Sequence, residues 1–210
     1  MIKEKLGKRL DDWIHRAFPF LFLRPLNPNA LTILGTLVSV AAAWAFAEGS
    51  FRTGALVMLA GGFFDLVDGV VARHFGSSTS FGAFLDSTLD RLVDMALMLG
   101  LVIYYGGQGE VVPQLLAGVV LVSSIVTSYA KARAELMIPH LSGGILERGE
   151  RVGVLAVGGL FGVMVPALWV LAIGTTWTAA QRILEARREL DRLDRGADGA
   201  STAPTAPREA

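Results

Sequence analysis

The sequence predicts an all-α integral membrane protein: six transmembrane helices preceded by an interfacial amphipathic helix. Three observations lead there. Hydrophobic residues make up 52% and charged residues 18% of the 210 residues, too apolar for an ordinary soluble domain. Long apolar runs follow one another at about 30–47, 54–72, 92–105, 111–130 and 152–180. The Lys and Arg residues gather on one side of the spans that these runs define. The formal net charge is zero, so bulk charge points to no polyanionic partner and no nucleic-acid role is expected. The absence of cysteine excludes disulfides and thiol chemistry.

Residues 1–24 read as a juxtamembrane helix. Ile2, Leu6, Leu10, Trp13, Ile14 and Phe18 recur at helical spacing with Lys and Arg between them. That pattern suits a helix lying in the membrane interface, or one packed on a soluble partner. This charged start is not the apolar segment of a signal peptide. Pro25 and Pro28 end the helix, and Asn29 stands where an N-cap would begin the first span. Residues 25–185 then hold the six spans. The last apolar run is long for one span and carries Pro166 and Gly174, so it is divided near Pro166 into two short ones. Residues 186–195 continue as a charged helix, with Glu185–Arg188 and Glu189–Arg192 at three-residue spacing. The small-residue, Pro-containing stretch 196–210 cannot bury apolar surface and is expected to be disordered.

Lys3, Lys5, Lys8, Arg9, Arg16 and Arg24 precede the first span, and Arg73 and Arg91 follow the second and open the third. Lys131, Arg133, Arg148 and Arg151 surround the loop at 131–151, and Arg182 leads a further group after the last span. With six spans these all share one side, while the opposite loops carry only Arg52. The positive-inside rule makes that side cytoplasmic, at the cell membrane, with both termini.

From Asp65 to Asp90 the chain reads DLVDGVVARHFGSSTSFGAFLDSTLD. Asp65 and Asp68 are three apart and share a helix face; Asp86 and Asp90, four apart, do the same on the next helix. The polar link HFGSSTS lets the two faces meet. Four uncompensated carboxylates so close together are strongly unfavourable, the more so near a bilayer. Divalent cations that prefer oxygen remove the penalty, and Mg²⁺ or Mn²⁺ suits Asp65, Asp68, Asp86 and Asp90. Gly69 leaves the backbone open to a close ligand. Arg73 suits a pyrophosphate, or serves as a positive-inside anchor. Ser77, Ser78, Thr79 and Ser80 can donate to phosphate oxygens or simply form a solvated turn. Lys131, Arg133, Arg148 and Arg151 form a basic cluster on the same face. Lys131 and Arg133 point about 200° apart on a helix, whereas Arg148 and Arg151, three apart, can face one ligand. A cytoplasmic loop collects such charges in any case.

The pattern Asp65-x2-Asp68-Gly69-x2-Ala72-Arg73-x8-Gly82-x3-Asp86-x3-Asp90 resembles the signature of the CDP-alcohol phosphotransferase family at every defined position, and the likeness covers about residues 27–185. It implies a membrane enzyme that moves a substituted phosphate from a CDP-linked donor to an alcohol and releases CMP. It further implies two Mg²⁺ or Mn²⁺ ions per active site, Asp90 as the general base, and a homodimer among membrane lipids. The Pro-Asn-x-x-Thr segment assigns Asn29 and Thr32, with Gly69, Arg73 and Thr79, to the nucleotide. The local patterns AFLDSTLDR and SYAKARAE…ILERGER look most like the bacterial phosphatidylinositol-phosphate synthase and archaetidylinositol-phosphate synthase branch. For that branch the donor is CDP-diacylglycerol or an ether analogue and the acceptor is inositol 1-phosphate. Lys131, Arg133, Arg148, Arg151 and Arg182 would hold its phosphate. Glycerol 3-phosphate is the alternative acceptor, although Ser87 and Arg91 replace the Pro and Lys usual in phosphatidylglycerophosphate synthases. An ion transporter would also bury carboxylates, but near the bilayer midplane and without a nucleotide pocket.

Overall fold

The apolar runs fold into six helices in the computed structural model, which describes residues 16, 18–22, 27–138, 141 and 144–201. A single 3₁₀ turn, Pro19–Phe22, precedes α1 (Pro28–Ala47), α2 (Phe51–His74) and α3 (Ser80–Gly107). There follow α4 (Val111–Ala134), α5 (Arg148–Phe161) and α6 (Met164–Ser201). No strand occurs among the described residues. Most of the expected N-terminal helix lies outside them.

Two helix boundaries differ from the sequence expectation. The cap of α1 is Asn27, not Asn29: the Asn27 side chain accepts the Asn29 N–H at 3.0 Å. Pro28 occupies the first helical position, where its missing N–H costs nothing. The Asn29 side chain is thereby released from capping. The long final run breaks before Pro166, at Gly162, whose φ of 72° lies in the left-handed region that glycine tolerates best. Pro166 instead sits in the first turn of α6, where no hydrogen bond is lost. At its other end α6 runs through the charged stretch without a break and on to Ser201. Propagating an existing helix needs no new nucleus.

The helices pack in a closed order, α1–α2–α5–α6–α4–α3 and back to α1. Phe46, Leu97, Leu101, Leu168 and Leu171 fill the interior. Small residues bring neighbouring backbones together, as is usual where lipid supplies no hydrophobic drive between helices. Gly61 on α2 lies against Ser39 and the Gly35 carbonyl of α1, and Gly100 on α3 lies against the Ala43 carbonyl. Between α4 and α6, Ser123 and Thr175 share a buried hydrogen bond of 2.6 Å. Large apolar side chains also point outward from every helix, including Leu37, Leu56, Ile103, Val122, Val157 and Ile173. Three helices, α1, α2 and α4, are long and apolar enough to cross a membrane, with mean hydropathies of 1.9, 1.8 and 1.9. In α3 Asp86, Asp90, Arg91 and Asp94 interrupt the apolar stretch, the uncharged part of α6 ahead of Arg182 is diluted by Pro166, Gly174 and several threonines, and α5 has only 14 residues. The protein is an integral membrane protein, and all the regular structure of its described residues is helical.

Gly61→Val places a branched side chain against Ser39 and the Gly35 carbonyl, and overpacking of this kind costs about 1–3 kcal/mol. The unfolding temperature in detergent is expected to fall for Gly61→Val and to hold or rise for Gly118→Ala, whose added methyl meets nothing within 4 Å inside α4.

Candidate active site

The closed helix order separates α2 from α3 by α1 on one side, so the carboxylates of these two helices meet across a gap rather than across a tight backbone contact. Asp65 and Asp68 project from α2, and Asp86 from α3. One oxygen from each of the three lies within 4.8 Å of the others. Asp68 is buried, and its Oδ2 accepts the Thr32 hydroxyl at 2.5 Å. The same hydroxyl oxygen lies 3.0 Å from the Pro28 carbonyl, which holds the side chain in place on α1. A set of three convergent carboxylates is the donor chemistry of a hard divalent cation such as Mg²⁺ or Mn²⁺.

Asp90, one turn further along α3, stands outside this trio on the arginine side. A single nitrogen of Arg148, Nη1, bridges Asp65 Oδ2 at 2.7 Å and Asp90 Oδ1 at 2.8 Å. Arg151, three residues on, pairs with Asp94 at 2.9 Å, and Arg148 Nε lies 3.8 Å from the same carboxylate. The first turn of α5 thus presents two guanidinium groups to three aspartates.

Asp94 is absent from the sequence-based site. Its signal was available, because Asp86, Asp90 and Asp94 repeat every four residues and therefore stack on one face of α3. Arg148 and Arg151 have the matching one-turn spacing.

A cavity of about 290 Å³ opens beside the carboxylates. Asn29, Thr32, Gly69, Arg73 and Thr79 all line it, together with Asp68 and Asp86. Ser77, Ser78 and Pro28 belong to the same wall. Thr79 caps α3, its hydroxyl accepting the Gly82 N–H at 3.0 Å. A side chain at Gly82 would meet both Asn29 Oδ1 and Thr79 Oγ1 at 3.1 Å, so glycine there keeps the cavity open. At Gly69 an added methyl would meet only Arg73 Nη1, at 3.3 Å. A ligand can therefore lie directly on the α2 backbone.

A second space, an apolar groove of about 510 Å³, reaches the carboxylates from another direction. Met58, Leu59, Phe63, Leu66, Val93 and Leu97 line it, and Asp65 and Arg148 are its charged members. The remaining basic residues lie elsewhere. Lys131 approaches Glu135 at 3.8 Å. Arg133 lines an outer groove between α4 and α6 with Tyr129 and Ile183. Arg182 is buried and donates to the Thr127 carbonyl at 3.1 Å.

A carboxylate trio at the junction of a polar cavity and an apolar groove suits an enzyme acting on a substrate with one polar and one lipid end. Residues 26–181 match the CDP-alcohol phosphatidyltransferase family, and the chain belongs to it. Among its relatives is the phosphatidylinositol phosphate synthase of Streptomyces avermitilis, 40% identical over 90% of this chain and 87% of that protein. The archaetidylinositol phosphate synthase of Pyrococcus horikoshii is 34% identical over 89% of this chain and 97% of that one. The crystal structure of Mycobacterium tuberculosis phosphatidylinositol phosphate synthase with CDP-DAG bound is 32% identical and superposes with a TM-score of 0.72, covering 87% of this chain and 94% of that one. The same enzyme in complex with manganese and citrate gives a TM-score of 0.73 at 32% identity, over 86% of this chain and 88% of that one.

Breaking a poorly exposed ion pair leaves a desolvated charge and costs about 3–5 kcal/mol, whereas removing both partners is far cheaper. Asp94→Asn and Arg151→Gln are each expected to lower the unfolding temperature in detergent. The double variant is expected to be less destabilised than the sum of the two, which a double-mutant cycle measures directly.

Proposed function

We propose that this chain transfers a phosphatidyl group from CDP-diacylglycerol, or an ether analogue, to inositol 1-phosphate and releases CMP. The observation that carries the reading is the carboxylate trio set between the polar cavity and the apolar groove. A donor with a nucleotide at one end and acyl chains at the other has its pyrophosphate between them. The names of the relatives support the inositol phosphate acceptor. Glycerol 3-phosphate would place the same demand on the arginines.

In this reading Asn29, Thr32, Gly69, Arg73 and Thr79 hold the nucleotide. Asp65, Asp68 and Asp86, with Asp90 partly engaged, would hold two Mg²⁺ or Mn²⁺ ions. When bound, the ions neutralise the donor pyrophosphate and the charge on the departing CMP. Arg148 and Arg151 bind the acceptor's phosphate, and Lys131, Arg133 and Arg182, which lie away from the aspartates, are left out of that set. Asp90 accepts the proton of the attacking acceptor hydroxyl. The hydroxyl oxygen bonds to the phosphatidyl phosphorus as the bond to CMP breaks. Arg148, already on Asp90, holds that carboxylate in place beside the acceptor.

The same reading makes all six helices membrane spans, since each carries outward apolar side chains. The site then faces the cytoplasm at the cell membrane, residues 1–24 lie in the interface, residues 25–185 form the catalytic domain and two copies pair.

Three outcomes are expected with purified protein. Offered inositol 1-phosphate, inositol, glycerol 3-phosphate and serine together with CDP-diacylglycerol, it should prefer inositol 1-phosphate and lose all turnover on chelation of divalent metal. A preference for glycerol 3-phosphate would overturn the acceptor assignment. Asp90→Asn should keep donor affinity but lose about 10²-fold or more in kcat, the scale of a missing general base. Gly69→Val should weaken CDP-donor binding in an equilibrium assay, because its side chain would occupy the space over the α2 backbone.

A further inference from the structure

The two arginines at the carboxylates belong to the first turn of α5. Glu147 at the N-cap makes no side-chain capping bond. The start of α5 is held from outside, by α6. The Thr178 hydroxyl oxygen accepts the Leu146 N–H at 3.1 Å and donates to the Gly174 carbonyl at 2.8 Å. The Leu146 side chain lies over Gly174, where an added methyl would come within 2.6 Å of its Cδ1. Gly144, at φ 123°, passes so close to α6 that an added methyl would meet Thr178 Cγ2 at 2.9 Å and Arg182 Nε at 3.3 Å. Arg182 is itself anchored on α4 through the Thr127 carbonyl at 3.1 Å.

Gly174, Thr178 and Arg182 are four residues apart and form one stripe along α6. We infer that this stripe is a cradle for residues 144–147 and that Thr178 is a positioning residue, setting where Arg148 and Arg151 stand relative to Asp65, Asp90 and Asp94. The argument is mechanical. Leu146 is two residues from Arg148, and its N–H has a fixed acceptor on a helix anchored elsewhere in the ring. Loss of that acceptor leaves the N–H unsatisfied and frees the segment to move the guanidinium groups. The donor cavity, formed by α1, α2 and α3, is untouched. Thr178 therefore acts on the acceptor and not on the nucleotide, an assignment that rests on the acceptor role proposed above for Arg148 and Arg151.

The test compares Thr178→Val, which keeps the shape and loses the acceptor, with Thr178→Ser, which keeps it. Hydrogen exchange by mass spectrometry reads residues 144–151 independently of activity. In Thr178→Val, exchange there is expected to accelerate while α1–α3 stay protected. The KM for the acceptor should rise about tenfold, the value of one buried hydrogen bond, with CDP-donor affinity unchanged. Thr178→Ser should restore both readouts. Unchanged exchange at 144–151, faster exchange throughout the bundle, or local loosening with an unchanged acceptor KM would each overturn the assignment. If the enzyme uses another acceptor, the same KM is read with that acceptor. Failure of the inositol phosphate reading is thus seen in the competition assay, and failure of the cradle in the exchange data.

Discussion

The bridge from Arg148 to Asp65 and Asp90 is the interaction on which the site depends. Two like charges 4 Å apart repel by about 4 kcal/mol at the effective dielectric near a protein surface. Asp65, Asp68, Asp86, Asp90 and Asp94 would accumulate several such terms. The guanidinium groups of Arg148 and Arg151 offset the charges of Asp65, Asp90 and Asp94. The Thr32 hydroxyl stabilises that of Asp68. The trio of Asp65, Asp68 and Asp86 then keeps the excess negative charge on the cavity side, where a cation can use it.

The ring serves the same end. Close packing of α1 on both α2 and α3, through Gly35, Gly61 and Gly100, fixes the two carboxylate helices against a common neighbour without bringing them together. The gap that results is what the aspartates, the cavity and the groove share. On the opposite side, α5 enters between α2 and α6 and delivers the arginines.

Much of this was legible in the sequence. The aspartate periodicity placed Asp65, Asp68, Asp86 and Asp90 correctly on two helices, and the apolar runs located the helices themselves. The five nucleotide candidates converge on one cavity because the 26–32 segment and the 69–79 segment adjoin the same motif. What was not legible required long-range information. Cap choice between Asn27 and Asn29 turned on which residue precedes the helical proline. The break at Gly162 was masked by Pro166, the stronger formal breaker, which is harmless in a first turn. Lys131, Arg133 and Arg182 looked equivalent to Arg148 and Arg151 because all five are basic and fall on one side. Only packing separates a cation paired with Glu135, one in an outer groove and one buried on a carbonyl from the two on the aspartates. Asp94 continues the four-residue repeat but lies beyond the family signature, which ends at Asp90.

The closed helix order also has a temporal side. The chain is made from its N-terminus, so α1, α2 and α3 emerge first and can associate through their small-residue contacts. At that stage the aspartates already face one another and their arginine partners do not yet exist. Pairing with Arg148 and Arg151 waits until α5 is synthesised and seated between α2 and α6. A bundle of α1, α2 and α3 alone thus lacks its arginine counter-charges, and the packing of α5 on α2 supplies them.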